Sequence, residues 1–131
     1  MTNKLYERVG ETEYNNLIID NFPPADVFSV TVKSGEGELQ RGSVLALDST
    51  TGKMSHLAAE STSELAANCI LAGNIDATSS DVITLAYRTG HFATNQLITK
   101  SEYELTFKDK EALRKGGILL SDAIEYTKEV E

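Results

Sequence analysis

Cysteine, proline and tryptophan are scarce in this sequence of 131 residues, which contains one cysteine, two prolines and no tryptophan. A lone cysteine cannot form a disulfide within the chain, and the apolar residues that follow Cys69 favour a buried thiol over a reactive one. Because 40% of the residues are hydrophobic and so few are proline, we do not expect wholesale disorder. The length fits a single domain with one ordinary core.

Long hydrophobic runs are also absent. No stretch approaches the ~20 apolar residues that a membrane span needs, and residues 1–10 lack the apolar core of a secretory signal. We therefore expect a protein that is made in a cytoplasm and has no membrane partner.

Basic residues are outnumbered, with 12 lysines and arginines against 20 aspartates and glutamates and a formal net charge of −8. No cluster of basic residues is longer than a pair. A surface of this charge repels phosphate backbones and anionic lipids on average. The sequence therefore predicts no nucleic-acid partner.

The residues that build catalytic and metal sites are few and poorly spaced. His56, His91 and Cys69 are the only nitrogen or sulfur ligands that zinc could use, and their spacing matches no metal motif. The Gly-x-Gly pattern around Glu36 fits a turn better than a phosphate-binding loop, because a strand is predicted to follow it. Glu36 and Glu38 are expected on a solvated rim. We expect a non-enzymatic protein with no catalytic residue, metal or cofactor.

The first 26 residues differ from the rest of the chain, because polar stretches surround one short apolar group. That group is LII at residues 17–19, followed by Phe22. Pro23 and Pro24 come next, and they fix φ and favour extended backbone before them. We predict an extended N-terminal arm over residues 1–26 and a single β-rich domain over residues 27–131.

The next part of the chain, to about residue 99, has the pattern of short strands and turns. Apolar and polar residues alternate at its start with the period of a half-buried strand, which places Phe28, Val30 and Val32 on one face. Turn residues separate the later runs. Strands are predicted at residues 27–33, at 43–48 and 53–57 as a hairpin, at 69–75 as a central strand with two apolar faces, and at 82–87 after a polar turn at 76–81.

Helix is favoured in two places. Residues 61–68 are alanine-rich and free of proline, so they could hold a short helical turn. The better signal comes later, where Asp109 can cap a helix, Glu111 and Lys115 are four residues apart, and a glycine pair provides a stop. Residues 118–124 then form a last apolar segment. Together these patterns predict a mainly β fold, a small barrel or sandwich with one short helix.

Five segments of the sequence match, in order, the motifs of a known family. They read YNNLIIDNFP at residues 14–23, QRGSVLA at 40–46, NCILA at 68–72, AYRTGHF at 86–92 and LRKGGI at 113–118. They resemble D-N-L-I-A-G-x-F-P, R-G-T-V-L-G, a-x-G-I-L-A, v-y-x-x-G-x-F and L-r-x-x-G-I of the phage head decoration proteins, which include the lambda-type capsid-stabilising (cement) proteins. The sequence departs from the family at Ile19 and Asp20, where the family has Ala-Gly, and at Cys69, where it has a glycine.

This resemblance implies a small β-barrel or β-clip-like subunit with an extended N-terminal arm. It implies a structural virion protein, made in the host cytoplasm, that binds the major capsid protein. The protein would decorate the outer surface of the expanded capsid as a homotrimer and stabilise the head against packaged DNA. In this family the N-terminal segment reaches the capsid protein, and the matching residues here are Tyr14, Leu17, Ile18, Ile19, Phe22 and Pro23.

Physical reasoning agrees with a binding arm but leaves an alternative. An extended apolar segment can add as a strand to a partner's sheet edge and become ordered when it binds. Residues 17–19 also fit a first strand of the core.

Two other functions stay open. One is a ligand- or carbohydrate-binding β module of the virion, although such modules display aromatic platforms and this chain has five Tyr and four Phe scattered along it. The other is a small enzyme on a β-clip fold, with an active site shared between subunits.

Overall fold

The computed structural model describes residues 17–20 and 22–121. Within them the chain forms nine strands, one α-helix and two short 3-10 helices. The strands are β1 (Ile18–Asp20), β2 (Asp26–Val32), β3 (Gly37–Leu39), β4 (Val44–Asp48), β5 (Met54–His56), β6 (Leu65–Leu71), β7 (Ile75–Ala77), β8 (Val82–Ala93) and β9 (Ile118–Ser121); α1 is Phe107–Gly116, and the 3-10 helices are Thr94–Gln96 and Lys100–Glu102. No helix of this part of the chain is long and apolar enough to cross a membrane.

Five strands close into a barrel in the order β8-β2-β5-β4-β6, with β6 pairing back to β8. The β2–β8 ladder is long and antiparallel, whereas β2 and β5 meet only where Val32 pairs with Met54. The second half of β8 leaves the barrel and pairs with β1 on one side and β9 on the other. The mainly β fold, the small barrel and the single short helix that we predicted are therefore confirmed.

The domain has two apolar cores, one inside the barrel and one on its outside. In β4 and β6, successive side chains alternate between them: Leu45 and Cys69 belong to the interior cluster, Val44 and Ile70 to the outer one. The outer core is closed by α1, β9 and the end of β8, with Phe92 fully buried at its centre. This alternation explains why β4 and β6 are apolar on both faces.

The strand predictions hold in part. Phe28, Val30 and Val32 all pack into the interior core, as their alternation predicted, and the predicted hairpin is the β4–β5 pair. The predicted central strand is shifted, because β6 starts at Leu65 and ends at Leu71, and the predicted polar turn before β8 begins with the last two residues of β7.

The sequence allowed a short helical turn at residues 61–68, and the structure has none there. Half of this segment belongs to β6, between β4 and β8. Ala67 is 3% exposed in the outer core, a position where a small side chain fits against the helix layer. Tertiary packing overrides the local preference of alanine for helix here.

The predicted helix is present, but its cap differs from the prediction. Thr106 is the N-cap residue, and Asp109 is three residues further on, so the two form a capping box. Gly117 ends the helix with φ 111°. Glu111 pairs with Arg114 at 2.7 Å rather than with Lys115. Of the predicted apolar segment that follows, β9 covers 118–121, and the remainder lies outside the described residues.

Candidate functional site

The N-terminal segment is attached to the domain at its first described residue. Leu17 is 4% exposed and belongs to the outer core, and its carbonyl oxygen accepts a hydrogen bond from the Ala93 N–H at 2.8 Å. Ile18 pairs with Phe92 of β8 and packs against the same core, and Ile19 is half-buried. These residues occupy the position of a first strand of the domain, which is the alternative that the sequence left open.

The segment then exposes an aromatic side chain. Phe22 is 82% exposed, and its N–H donates to the Asp20 carboxylate at 3.0 Å, which bends the backbone after β1. Pro23 follows through a cis peptide bond and is half-buried. Tyr14 lies outside the described residues. An exposed phenyl ring next to an anchored strand has the form of a contact residue for a partner.

His91 connects the two strands that flank the end of β8. Its Nδ1 lies 3.0 Å from a carboxylate oxygen of Asp20 on β1, and its Nε2 lies 2.7 Å from the Ser121 hydroxyl on β9. Both ring nitrogens of His91 therefore have a polar partner, one on each flanking strand. The pKa of Asp20 is lowered, first by the hydrogen bond from the Phe22 N–H and then by His91.

A second set of contacts fixes the chain where it enters the barrel. The Arg88 guanidinium lies 2.7 Å from the Asp26 carboxylate, and the Thr89 hydroxyl donates to the Pro24 carbonyl at 2.8 Å. Both partners of each contact lie on or next to the β2–β8 ladder. Phe22 is therefore displayed from a stretch of backbone that is held on both sides.

The other residues that could suggest chemistry have structural roles. His56 Nε2 lies 3.0 Å from the Ile98 carbonyl oxygen, and the His56 N–H donates to the Glu36 carboxylate at 2.9 Å. Glu38 lies opposite Asp76 in the small β3–β7 sheet. Cys69 is fully buried, and burial raises the pKa of its thiol to about 12. Its predicted burial is confirmed.

Asp109 is a buried carboxylate whose role the sequence only hinted at. It accepts hydrogen bonds from the N–H and hydroxyl of Ser61, from the Tyr103 hydroxyl, and from the N–H and hydroxyl of Thr106. Burial alone would raise the pKa of Asp109, but these hydrogen bonds outweigh it and lower the pKa. The Thr-x-x-Asp spacing was the available signal, whereas the contact with Ser61, 48 residues away, had none.

Among residues 17–20 and 22–121, no group of three or more His, Cys, Asp or Glu side chains is arranged to hold a metal ion. The polar groups described above are engaged with one another or with the backbone.

Several large apolar side chains on the barrel are exposed, which the sequence did not predict. Ile83 and Leu85 on β8 are 77% and 50% exposed, and Val27 on β2 is 39% exposed. Sequence alone predicted a β-rich run here without saying which side chains would stay uncovered.

Comparison with known proteins identifies a family whose model matches the chain. The model of the family described as bacteriophage lambda head decoration protein D matches residues 12–119. The match begins before β1 and ends within β9. The search among curated proteins finds no match.

Proposed function

Because the chain belongs to the bacteriophage lambda head decoration protein D family, and is thus a structural component of a phage head, we propose that it binds the outer surface of the expanded capsid as a trimer. There it stabilises the head against the pressure of packaged DNA. The observation that carries this proposal is the length of the family match, which covers nearly the whole described domain. Decoration proteins are structural, and we infer no catalytic role for this chain.

The major capsid protein is the proposed partner, and the segment from Tyr14 to Pro23 is the proposed contact. Phe22 is its strongest candidate for direct contact, since its ring is 82% exposed in the free subunit. Burying an exposed aromatic ring of this kind contributes about 1.5–3 kcal/mol. Ile19 and Pro23, both half-buried, would extend that contact.

Leu17 and Ile18 have a different proposed role in the same site. Leu17 is buried in the outer core, and Ile18 packs against it. Their side chains anchor the segment, so that β1 presents Phe22 in a fixed place rather than on a free chain. Preorganisation of this kind lowers the entropy that binding costs.

A trimer strengthens the contact through effective concentration. Each subunit would display one segment, and once the first has bound, the other two are held near their sites. The net charge of −8 also suits a position outside the shell, away from the packaged DNA.

Co-sedimentation with expanded, undecorated capsids of the encoding phage tests this proposal. We expect saturable binding at three copies per threefold site and no binding to unexpanded shells. Absence of binding by the folded protein to expanded shells would refute it.

A further inference from the structure

A groove runs along one edge of β9, between this strand and α1. A cavity of about 410 Å³ lies in it, and all four residues of β9 line that cavity, together with His91 of β8 and Lys110 and Arg114 of α1. Successive side chains of a strand point to opposite faces of the sheet. A cavity that all four residues touch therefore lies beside the edge of β9 and not over one face.

The backbone of β9 offers hydrogen-bonding groups to this groove. β8 pairs with the opposite edge, where the Gly117 carbonyl oxygen accepts from the Gly90 N–H at 3.2 Å. Because backbone groups alternate between the two edges of a strand, those of Ile118 and Leu120 face away from β8. In the described part of the chain, no strand other than β8 pairs with β9. An edge of this kind can accept an extended segment from a partner.

The side chains of β9 divide between the core and the groove. Ile118 is fully buried, and Leu120 packs against the outer core. Leu119 is 37% exposed and belongs to neither core. It therefore provides apolar surface at the groove, and a substitution there leaves both cores intact.

The α1 side of the groove is basic. α1 contains four basic residues and two acidic ones, and one of the acidic residues, Asp109, is fully buried. Arg114 is paired with Glu111 at 2.7 Å, whereas no ion pair among the described residues includes Lys110. On a chain of net charge −8 this is a local reversal of sign. It favours an occupant that carries aspartate or glutamate.

The groove also adjoins the proposed capsid contact. His91 lines the cavity, and its Nδ1 lies 3.0 Å from a carboxylate oxygen of Asp20. The same oxygen accepts from the Phe22 N–H. His91 and Asp20 therefore connect the groove to the backbone that displays Phe22, so a partner that covers Phe22 is also close to the β9 edge.

We propose that an extended acidic segment of the major capsid protein adds to the β9 edge in this groove. Its backbone pairs with the N–H and C=O of Leu120, and one of its apolar side chains packs on Leu119. An aspartate or glutamate of the segment binds Lys110. The inference rests on the proposed function, because it takes the capsid protein as the partner. It adds a second contact, separate from residues 14–23, and the chemistry of the capsid segment that binds there.

Photo-crosslinking on decorated capsids identifies the occupant. The full-length protein carries p-benzoylphenylalanine in place of Leu119, or in place of Ile83 as the control, since Ile83 is 77% exposed near the other end of β8. Each protein is co-sedimented with expanded capsids and illuminated, and mass spectrometry identifies the crosslinked peptide. We expect position 119 to crosslink to a capsid-protein peptide that contains aspartate or glutamate, with at least tenfold higher yield than position 83.

Charge reversal on α1 gives a second readout. Lys110→Glu changes a side chain that lines the cavity, whereas Lys108→Glu makes the same change at an exposed side chain that does not. The two variants have the same net charge, and both should fold because neither side chain is buried. We expect Lys110→Glu to bind expanded capsids at least tenfold more weakly, because like charges then meet. Lys108→Glu should stay within about threefold of the wild type.

Three results overturn the inference while the proposed function stands. The first is decoration without a crosslink from position 119 to the capsid protein, including a crosslink to residues 122–131 of the same chain or to a second copy. The second is an equal yield from positions 119 and 83. The third is equal binding of the two lysine variants. A wild type that does not co-sediment with expanded capsids overturns the proposed function and this inference together.

Discussion

The imidazole of His91 lies 3.0 Å from the Asp20 carboxylate and thereby joins the last part of β8 to β1. The same ring contacts Ser121 on β9. One side chain therefore connects the strands at both ends of the described domain, next to the exposed Phe22. The hydrogen bonds to Asp20 lower the pKa of its carboxyl group, so a measurement of that pKa reports on them.

We predict that the pKa of Asp20 lies below the ordinary aspartate value of about 3.9. In His91→Ala it should rise but stay below that value, because the larger cause of the shift, the Phe22 N–H, remains. Titration of the side-chain carboxyl by NMR measures both. His56→Ala is the control and should leave Asp20 unchanged. A pKa of Asp20 that does not respond to His91→Ala would contradict the assignment.

Asp109→Asn should destabilise the domain by about 2–4 kcal/mol. The amide would place a donor among the five donors that now face the carboxylate, and it would remove a buried charge-assisted network. Urea unfolding measures the effect. Glu111→Gln, on the exposed side of the same helix, should unfold near the wild-type urea concentration. Equal stability of Asp109→Asn and the wild type would show that the network contributes nothing.

The same carboxylate predicts how stability depends on pH. The pKa of Asp109 is lowered in the folded state, so its contribution is present above the unfolded value of about 3.9 and is lost as pH falls through the folded value. Stability should therefore decline below about pH 4. The decline should be shallower in Asp109→Asn, and an identical pH profile for the two proteins would contradict this origin.

Gly90→Ala should be strongly destabilising, by about 2–4 kcal/mol. Gly90 has φ 146°, and an added Cβ would lie 2.8 Å from the ring of the fully buried Phe92. Gly73→Ala is the matched control, because nothing lies within 4 Å of the added atom and φ is not in the left-handed region. Thermal unfolding of both variants checks the difference, and similar melting temperatures would argue against the tight approach at Gly90.

The Cys69 thiol should react slowly with an alkylating reagent in the native protein. It is fully buried, and burial raises its pKa to about 12, so almost no thiolate is present at neutral pH. Labelling followed by mass spectrometry should match the rate of opening of the domain and become fast in urea. Rapid labelling without denaturant would contradict the burial.

Phe22→Ser should weaken capsid binding at least tenfold while leaving the unfolding free energy nearly unchanged, because the ring is 82% exposed in the subunit. Phe107→Ser, which removes a ring of similar exposure (76%) from α1, is the control for loss of surface apolarity. Titration of both variants against expanded capsids measures the difference. Equal affinity of Phe22→Ser and the wild type would remove Phe22 from the contact.

The fold class could be predicted because it depends on local alternation. Phe28, Val30 and Val32 alternate with polar residues, and that period already specifies a half-buried strand. Ala66 and Ala67 mislead for the opposite reason: their helix preference is local, whereas their place in β6 is set by β4 and the helix layer. No local signal contains that information.

Part of the candidate site could likewise be predicted from the sequence, and part could not. The apolar group before Pro23 was visible in the sequence, but the burial of Leu17 in the outer core and the exposure of Phe22 depend on how β1 pairs with β8. Patterns in one sequence do not specify such pairings.

Cryo-electron microscopy of expanded capsids incubated with the protein would show where the subunits bind and how they are oriented. We predict density for three subunits at each threefold position on the outside of the shell, with the β1 end and Phe22 turned towards the major capsid protein. Bare capsids, or subunits attached through the opposite end of the barrel with Phe22 facing solvent, would contradict it.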